Sequence, residues 1–312
     1  MSVIIPVHNR FDLVNESIKS VYEQTYRPIE LIIVDDLSDE LYSSKISSEP
    51  DFEVKIIRHE ENKGPGASRE TGRLAAHGDY IAYLDSDDLW HPEKLEKQVA
   101  MLQAHPEAGM CYCISTEFSQ LPISGSEQTR KRSSTQYHEF LQTILNGRPW
   151  DTSACLWNRK ASDLIGPWFP GWTWEDYEYD CRAGCNDIRI CHIPEVLCHY
   201  RVDYGGEQLS RADRKSQMLH RTKSIIKMHK DLRESGKIND AAIRERFLKT
   251  VYFQAMHLFY LEEKEIGLEL LDVVILTSKG KVKWFSNFSK ILSQFISSSS
   301  LGDLLYKYRN NF

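Results

Sequence analysis

Residues 80–90 read YIAYLDSDDLW, an apolar run that ends in three carboxylates within four residues. The first five residues are aromatic or aliphatic, which is typical of a buried β-strand rather than a helix. Asp85, Asp87 and Asp88 follow where this strand leaves the sheet. Open α/β sheets bind their ligands at the carboxyl ends of the strands. The stretch therefore predicts an α/β fold and the edge of the sheet at which a site lies.

Asp85 and Asp87 are two residues apart, so on an extended backbone their side chains share one face. Two carboxylates this close repel each other unless a positive group lies between them. Mg²⁺ or Mn²⁺ is the usual solution, because these ions take oxygen ligands and keep positions open for substrate phosphates. The alternative is an acidic turn in which Asp88 caps the next helix and Pro92 lies in its first turn. A D-x-D pattern is common enough by chance that both interpretations stay open.

Apolar strands and amphipathic helices alternate through the first hundred residues. The helix after the first strand carries Val14, Ile18 and Val21 on one face, and two more helices are predicted over 67–77 and 92–105. Continuous apolar strands joined by helices indicate a doubly wound, mostly parallel sheet flanked by helices. The predicted buried strands are 2–7, 29–34, 54–57 and 80–84.

The alternation weakens beyond residue 105. Residues 120–135 are rich in Ser, Thr and Gln and are expected to form a surface loop. An aromatic cluster at 168–174 leads into the acidic segment 175–180, and from about residue 208 the chain is predicted to be helical. Further strands are predicted at 109–115, 152–157, 188–193 and 196–201.

Composition limits the possible function classes. The 312 residues are 41% hydrophobic and 27% charged, and no apolar run approaches the roughly 18 residues of a membrane span. The net charge of −6 argues against general affinity for nucleic acid. The N-terminal residues enter a strand directly and lack the basic region of a signal peptide. Seven cysteines without a C-x-x-C pair indicate reduced thiols and a cytoplasmic protein, with a zinc site as the weaker alternative.

Five segments, in order, resemble the family 2 glycosyltransferases of the GT-A fold. The resemblance covers residues 1 to about 205 and implies a GT-A domain at 1–205, followed by a C-terminal helical region at 206–312. It also implies transfer of a sugar from a nucleotide sugar, most of all a UDP-sugar, to a hydroxyl of a sugar, glycan or lipid-linked acceptor, helped by Mn²⁺ or Mg²⁺. The segments are VIIPVHN (3–9), ELIIVDDLSD (30–39), NKGPGASR (62–69), GDYIAYLDSDD (78–88) and ED (175–176).

The resemblance assigns the donor side of the site residue by residue. Asp36 would accept a hydrogen bond from the N3–H of the base, which uracil has and cytosine lacks. Asp87 would bind the metal directly, and Asp85 would hold the ribose or a metal-bound water. The family more often has tyrosine at the His8 position, and imidazole offers less area for stacking. The implied nucleotide-sugar contacts are Pro6, His8, Asn9, Asp36, Lys63, Asp85 and Ser86.

The resemblance also assigns the part of the site that binds the acceptor, and this assignment begins with the Glu175–Asp176 pair. Asp176 matches the family's general base, with Glu175 orienting it. One base and no enzyme nucleophile imply a single displacement with inversion at the anomeric carbon. Trp172 and Trp174 would form walls of the acceptor site, although core packing explains them equally well. Arg201 would approach the diphosphate, with a structural salt bridge as the alternative.

Two other functions compete with this one. A nucleotidyltransferase shares the sheet, the acids and a uridine pocket, but it usually carries a Gly- and Arg-rich loop after the first strand, where this chain has PVHNRF at 6–11. A non-catalytic nucleotide-sugar-binding scaffold is the second alternative. Intact Asp85, Asp87 and Asp176 argue against it.

The C-terminal residues 277–312 have a distinct charge, with six basic residues and one acidic residue. Within them Trp284, Phe288, Ile291, Leu292 and Phe295 recur at helical spacing. A basic amphipathic helix with aromatic residues can lie in the surface of an anionic membrane, so a peripheral contact with the inner face of a membrane is one interpretation. The other is packing against the helices predicted at about 208–276 or against a partner subunit. The short apolar face and the serine run 297–300 favour packing.

Overall fold

The computed structural model of the protein describes residues 1–42, 53–123, 127–202, 213–294 and 296–307. The chain forms two compact units. The sheet unit comprises Met1–Thr143, Arg148–Pro170 and Asn186–Gly206, and the helical unit comprises Ile144–Gly147, Gly171–Cys185 and Glu207–Phe312. The predicted domain boundary near residue 205 lies outside the described residues and stays a prediction.

The described residues contain nine strands and eleven α-helices. The strands are β1 Ser2–Val7, β2 Glu30–Asp35, β3 Glu53–Arg58, β4 Tyr80–Tyr83, β5 Leu89–Trp90, β6 Ala108–Phe118, β7 Gln128–Thr129, β8 Cys155–Asn158 and β9 Arg189–Arg201. The helices are α1 Phe11–Tyr22, α2 Pro65–Ala75, α3 Lys94–Ala104, α4 Phe140–Leu145, α5 Arg159–Ile165, α6 Glu175–Cys185, α7 Arg214–Glu234, α8 Ala241–Tyr260, α9 Lys264–Thr277, α10 Gly280–Leu292 and α11 Ser298–Lys307.

The sheet is mixed, with the order β3-β2-β1-β4-β8-β6-β9-β5 and β7 beside β6. Its first four strands are all parallel, as the apolar runs predict, and every residue of β1 is buried. The other half contains antiparallel pairs: β8 runs antiparallel to both of its neighbours, β4 and β6. Burial on both faces explains why β1, β2 and β4 read as continuous apolar runs rather than as alternating ones. The strand β3 was predicted to be buried, but it lies at the edge of the sheet and its residues are exposed or half-buried.

β9 corrects one sequence prediction. The expected strands 188–193 and 196–201 form a single strand parallel to β6, with an irregular register between them. Ile193 pairs with Cys113 and Val196 with Ile114, so Pro194 and Glu195 are skipped. Proline has no backbone N–H to donate, and a bulge lets the strand continue past it.

Several other elements also differ from the predictions. The strand predicted at 152–157 begins as a 3₁₀ turn over Thr152–Ala154 and becomes β8 only at Cys155. The loop predicted at 120–135 contributes β7, paired with the end of β6, and its residues 124–126 lie outside the description. The helix expected from Pro92 begins at Lys94 with Glu93 at its N-cap, so Asp88 does not cap it.

The helical unit contains α6 to α11, which confirms the predicted helical C-terminal region. An ion pair buried in this unit joins Glu178 and Arg182 at 2.6 Å, and the Lys227 ammonium lies 3.5 Å from the same carboxylate. Burial raises the pKa of Glu178 although Arg182 and Lys227 oppose the shift. None of the described helices is both long enough and apolar enough to cross a bilayer.

His229 makes the stability of the helical unit sensitive to acid. Its Nε2 lies 2.8 Å from the Thr277 hydroxyl, and its ring stacks on Phe247 with centroids 5.9 Å apart. Burial, with a smaller effect of Arg233, lowers the pKa of His229 to about 4. Unfolded histidine titrates near 6.5, so the unfolded chain binds the proton first as the pH falls, and stability is lost between about pH 6.5 and 4.

We therefore expect the melting temperature of the wild type to fall more between about pH 7 and pH 5 than that of His229→Gln, which cannot titrate. The variant should melt lower at neutral pH because it loses ring packing, and the gap should narrow in acid. Scanning calorimetry at several pH values measures this, with His138→Gln, an exposed histidine, as the matched control. Parallel curves for wild type and His229→Gln would contradict the assignment.

Candidate active site

The strand order places a crevice at the carboxyl ends of β1 and β4. The chain proceeds from β1 outward to β2 and β3 and then returns to the other side of β1 to form β4. This reversal is the topological switch point at which open α/β sheets bind ligands. The two loops meet there, since the Arg10 guanidinium lies 3.0 Å from the Asp87 carboxylate. We call residues 8–10, 36, 62–64 and 85–88 the strand-end site.

Asp36 organises one side of the strand-end site. Its side chain is buried, and its carboxylate accepts hydrogen bonds from the backbone N–H groups of Lys63 at 2.9 Å and Gly64 at 2.7 Å. His59 Nδ1 lies 2.7 Å from the same carboxylate. A carboxylate has about four acceptor positions, so these three contacts leave one for a ligand. Gly64 has φ 85°, a conformation that favours glycine, and it directly precedes α2.

His8 is exposed at the end of β1, and its contacts indicate its tautomer. Its Nδ1 lies 2.9 Å from the carbonyl oxygen of Asp36, so the neutral ring donates from Nδ1. Its Nε2 lies 3.3 Å from the side-chain amide of Asn62. These contacts hold the imidazole in one orientation and leave its face open to solvent.

Pro6 and Asn9 make contacts within the protein, at the end of β1 near His8. Pro6 is buried within β1 opposite Val34. The Asn9 side-chain oxygen accepts from the backbone N–H of Asp39 at 2.9 Å, and its own N–H donates to the Ser38 hydroxyl at 2.8 Å. Asn9 therefore joins the loop after β1 to the loop after β2.

Arginines flank both of the predicted metal-binding acids. The Arg69 guanidinium lies 2.7 Å from Asp85, and Arg10 contacts Asp87. The repulsion expected between the two carboxylates is thus offset by cations within the chain. Sequence reasoning did not assign either arginine to the site. The available signal was that Arg10 lies in the loop directly after β1 and that Arg69 lies in the segment 62–69, which enters the first turns of α2.

Asp88 stabilises the conformation of the acidic segment 85–88 through buried hydrogen bonds. It is fully buried, and its carboxylate accepts from the Ser153 hydroxyl at 2.7 Å and from the backbone N–H of Arg201 at 3.0 Å. The Ser153 oxygen in turn accepts from the backbone N–H of Asp85 at 3.0 Å. Burial, and then the charges of Asp87 and Asp85, raise the pKa of Asp88 well above its usual range. Perturbed carboxyls of this kind are concentrated at functional sites.

Arg201 holds the same segment from the end of β9. Its side chain is buried, its Nε donates to the backbone carbonyl of Asp87 at 2.8 Å, and its guanidinium pairs with Glu16. These contacts match the structural salt bridge that sequence analysis left open. Contact of Arg201 with a diphosphate stays a prediction.

Lys63 and Ser86 lie at opposite extremes of exposure. The Lys63 side chain is half-exposed, and its ammonium lies 3.9 Å from Glu61. Ser86 is buried between the two acids. Nothing in these contacts tests their predicted role in binding the nucleotide sugar.

The donor set at Asp85 and Asp87 fits Mg²⁺ or Mn²⁺. Such ions commonly take one or two protein carboxylates and complete their shell with water and substrate phosphate oxygens. In the part of the chain that the structure describes, no three His, Cys, Asp or Glu side chains are grouped to hold a metal. A bound ion would therefore rely on substrate oxygens, and it would compete with Arg69 and Arg10 for the same two carboxylates.

In the helical unit, Glu175 and Asp176 form the first turn of α6. Glu175 is buried, whereas Asp176 is half-exposed. The Asp176 carboxylate accepts from the backbone N–H of Tyr177 at 2.7 Å. Acids at a helix N-terminus also stabilise the helix dipole, which is the structural explanation of the pair. Asp176 is therefore the more accessible member of the pair, and its role as the base stays a prediction.

The predicted acceptor tryptophans precede this turn and are both half-buried. Trp174 has φ 63° and stacks on Tyr177 with centroids 4.9 Å apart. The Arg221 guanidinium lies 5.2 Å from the centroid of the indole ring. Trp172 lies beside His220 with centroids 6.1 Å apart. Trp174 is therefore held in place by packing and by a cation.

A cavity of about 670 Å³ opens beside Trp174 within the helical unit. It combines aromatic, aliphatic and charged side chains, as ligand pockets commonly do. Sequence reasoning missed its α8 residues because no motif covers that helix. The lining residues are Leu145, Asn146, Gly147, Trp174, Tyr177, Ala242, Glu245, Arg246, Lys249, Thr250 and Phe253.

Comparisons with known proteins agree on one family. The family model described as glycosyl transferase family 2 matches residues 2–163. An uncharacterized glycosyltransferase of Nostoc sp. is 28% identical over 258 residues, which cover 78% of this chain and 76% of that protein. WfgD of Escherichia coli, a UDP-Glc:alpha-D-GlcNAc-diphosphoundecaprenol beta-1,3-glucosyltransferase, is 38% identical over 102 residues, which cover 33% of this chain and 40% of WfgD.

Solved structures show the same fold at low sequence identity. S. aureus TarS 1-349 in complex with UDP-GlcNAc matches 99% of this chain and 91% of that chain with TM-score 0.68 and 18% identity. The mannosyltransferase PcManGT from Pyrobaculum calidifontis, in complex with GDP-Man and Mn²⁺, matches 98% of this chain and 84% of that chain with TM-score 0.57 and 15% identity. The predicted GT-A fold with a C-terminal helical region is thereby confirmed.

Proposed function

The chain belongs to glycosyl transferase family 2, and we propose that it moves a sugar from a UDP-sugar to a hydroxyl acceptor with inversion and with the help of a divalent cation. The observation that carries the proposal is the strand-end site. There Asp85 and Asp87 meet the loop after β1 at the switch point of the sheet, beside the 62–64 loop held by Asp36. That is the place for a nucleotide diphosphate in an open α/β sheet.

Uracil suits the corner formed by His8 and Asp36. Asp36 keeps one acceptor position beyond its three protein contacts, which a base N–H can use. The exposed imidazole of His8 offers a face on which a base can stack. WfgD takes UDP-Glc and TarS binds UDP-GlcNAc, which supports a uridine donor. Lys63 and Ser86 are the further proposed donor contacts, and Pro6 and Asn9 are proposed to shape the donor site by holding the loops after β1 and β2.

Asp87 and Asp85 are the proposed ligands of Mn²⁺ or Mg²⁺, and the complex of PcManGT with Mn²⁺ supports a divalent ion in this fold. When bound, the cation supplies electrostatic stabilisation for the negative charge of the leaving diphosphate. Asp88 and Ser153 keep the acidic segment in one conformation through buried hydrogen bonds. Arg69 and Arg10 prevent the two acids from repelling each other before substrate arrives.

Asp176 is the proposed general base. Its half-exposed carboxylate takes the proton from the acceptor hydroxyl as that oxygen attacks the anomeric carbon and the nucleoside diphosphate leaves. Glu175, buried beside it, orients the first turn of α6. The attack is a single displacement because no enzyme nucleophile takes part, so an α-linked donor yields a β-linked product.

The proposed acceptor is a glycan or a lipid-linked sugar that packs against Trp174, two residues before the proposed base. Sugar rings present C–H faces that pack on indole, and Trp174 is already oriented by Tyr177 and Arg221. WfgD acts on a sugar carried by diphosphoundecaprenol, which supports a lipid-linked acceptor. We place this reaction in the cytoplasm, where its seven free cysteines stay reduced.

Release of UDP from a panel of UDP-sugars tests the function. We expect UDP to be released from at least one donor with Mn²⁺ and acceptor present, and the rate to fall by about 10²-fold or more when EDTA removes the metal. The donor that gives the fastest release also identifies the sugar that is transferred. The matched control is the same panel with GDP-sugars, which should give no release.

Two outcomes would favour the competing functions. Formation of pyrophosphate from UTP and a sugar phosphate would indicate a nucleotidyltransferase. Tight binding of UDP-sugar without turnover in the presence of any acceptor would indicate a scaffold. Equal rates with Mn²⁺ and with EDTA would contradict the metal assignment and leave the transferase assignment intact.

A further inference from the structure

Helix α10 buries the side opposite to the one that the sequence predicts. Phe285, Ser286 and Ser289 are its buried residues, so a mainly serine face packs against the helical unit. The apolar residues Trp284, Phe288 and Ile291 are 66%, 41% and 59% exposed. The expectation that they pack against the preceding helices is therefore wrong. Leu292 is half-buried, and Phe295 lies outside the described residues.

We call Trp284, Phe288 and Ile291 the Trp284 face. Their spacing of four and three residues places them in one stripe about 10 Å long. The rings of Trp284 and Phe288 stack with centroids 5.4 Å apart and an interplanar angle of 4°. Contiguous exposed apolar groups on a folded protein commonly mark a surface that binds a partner or a membrane.

The charged residues of α10, and Lys279 directly before it, are all positive. Lys279, Lys281 and Lys283 are exposed at the start of α10, and residues 279–296 contain no acidic residue. At about 100° per residue, Lys281 and Lys283 lie on opposite sides of Trp284. Lys290 behaves differently, since its ammonium contacts the Asp272 carboxylate at 2.6 Å. An apolar stripe bordered by lysines is complementary to a surface that is anionic outside and apolar beneath.

We propose that the Trp284 face lies in the headgroup region of an anionic lipid bilayer. Trp284 and Phe288 enter the boundary between headgroups and acyl chains, where tryptophan is favoured, and the three lysines contact lipid phosphates. A second copy of this chain fits the surface less well. A two-fold contact would bring two sets of lysines together, and like charges repel. Because the stripe is short, the contact is reversible and depends on salt.

Vesicle flotation tests the proposal with the protein alone, so the result does not depend on the transfer reaction. We expect the partition coefficient on vesicles containing phosphatidylglycerol at low salt to exceed that on pure phosphatidylcholine by about tenfold or more, and high salt to release the protein. Tryptophan emission should be quenched by brominated acyl chains in the anionic vesicles only.

Matched variants distinguish binding through the Trp284 face from non-specific adsorption of the protein to vesicles. Trp284→Ser with Phe288→Ser, and Lys279→Gln with Lys281→Gln and Lys283→Gln, should each lower the partition coefficient by about tenfold. Leu74→Ser with Leu164→Ser removes residues that are 72% and 59% exposed in the sheet unit, and it should bind like the wild type. Melting temperatures confirm that the variants are folded.

Three results would overturn the proposal. The first is absence of binding to anionic vesicles at low salt. The second is equal binding to neutral vesicles, because the lysines would then contribute nothing. The third is a dimer in light scattering that Trp284→Ser abolishes, which would assign the face to a second copy of the chain.

Discussion

Asp176→Asn should lower the turnover number by about 10²-fold or more, because asparagine keeps the shape of the side chain but cannot take a proton from the acceptor. Its amide oxygen can still accept the hydrogen bond that Tyr177 N–H donates, so the first turn of α6 should persist. Donor affinity should change little, since the proposed base acts on the acceptor. Initial rates of UDP release and calorimetry with UDP measure the two quantities separately.

Glu175→Gln is the matched control for this variant. Glu175 is the buried neighbour, so its replacement should alter stability more than turnover. If Asp176→Asn turns over normally while Glu175→Gln does not, the two roles are reversed. Loss of turnover in both, with unchanged melting temperatures, would show that the pair acts as one unit.

Asp87→Asn should reduce transfer by about 10² to 10³-fold, since electrostatic stabilisation of a leaving group is commonly worth that much. The substitution removes the charge that would hold the metal and the charge that Arg10 contacts at 3.0 Å. With Mn²⁺ present, the affinity for UDP should fall. With EDTA the difference between variant and wild type should shrink, because neither then binds the ion.

Asp163→Asn is the control for loss of one carboxylate charge. Asp163 is exposed and pairs at 3.4 Å with Arg73, outside the strand-end site. It should keep wild-type rates. If Asp87→Asn keeps its rate and its Mn²⁺-dependent affinity for UDP, the metal belongs to Asp85 or to neither acid.

In the proposed reaction, the pairing of acids with arginines would give the strand-end site two electrostatic states, one without and one with the cation and the donor. In the structure, Asp85 and Asp87 are balanced by Arg69 and Arg10. A cation and a diphosphate bring charges of both signs, so the carboxylates can exchange a guanidinium for the ion while arginine can turn to phosphate oxygens, which it binds well. This is why we expect metal and donor to bind together rather than one without the other.

The sequence alone determined the parallel half of the sheet. Continuous apolar runs predict the buried strands β1, β2 and β4, and the acids and glycines at the strand ends mark the edge that carries the site. These signals are local. Asp36, Asp85 and Asp87 could be predicted as site residues because strand ends and turns are recognised from residues that are adjacent in the sequence.

Only the tertiary structure decided which groups surround those residues. Arg10 and Asp87 are 77 positions apart, and Ser153 and Asp88 are 65 apart, so no local pattern links them. The tertiary structure also decided that Asp176 is half-exposed while Glu175 is buried. Helical spacing restricts the choice to one of two adjacent side chains but cannot say which one the fold covers.

Helix α10 is the clearest example of a local pattern that does not determine which side chains the fold buries. Its periodicity correctly predicts an apolar stripe at Trp284, Phe288 and Ile291, yet the fold buries the serine side and exposes the stripe. Periodicity reports which residues share a face. Whether that face packs inward depends on the shape and partners of neighbouring helices, since small serine side chains allow close approach where bulky aromatic rings would not fit.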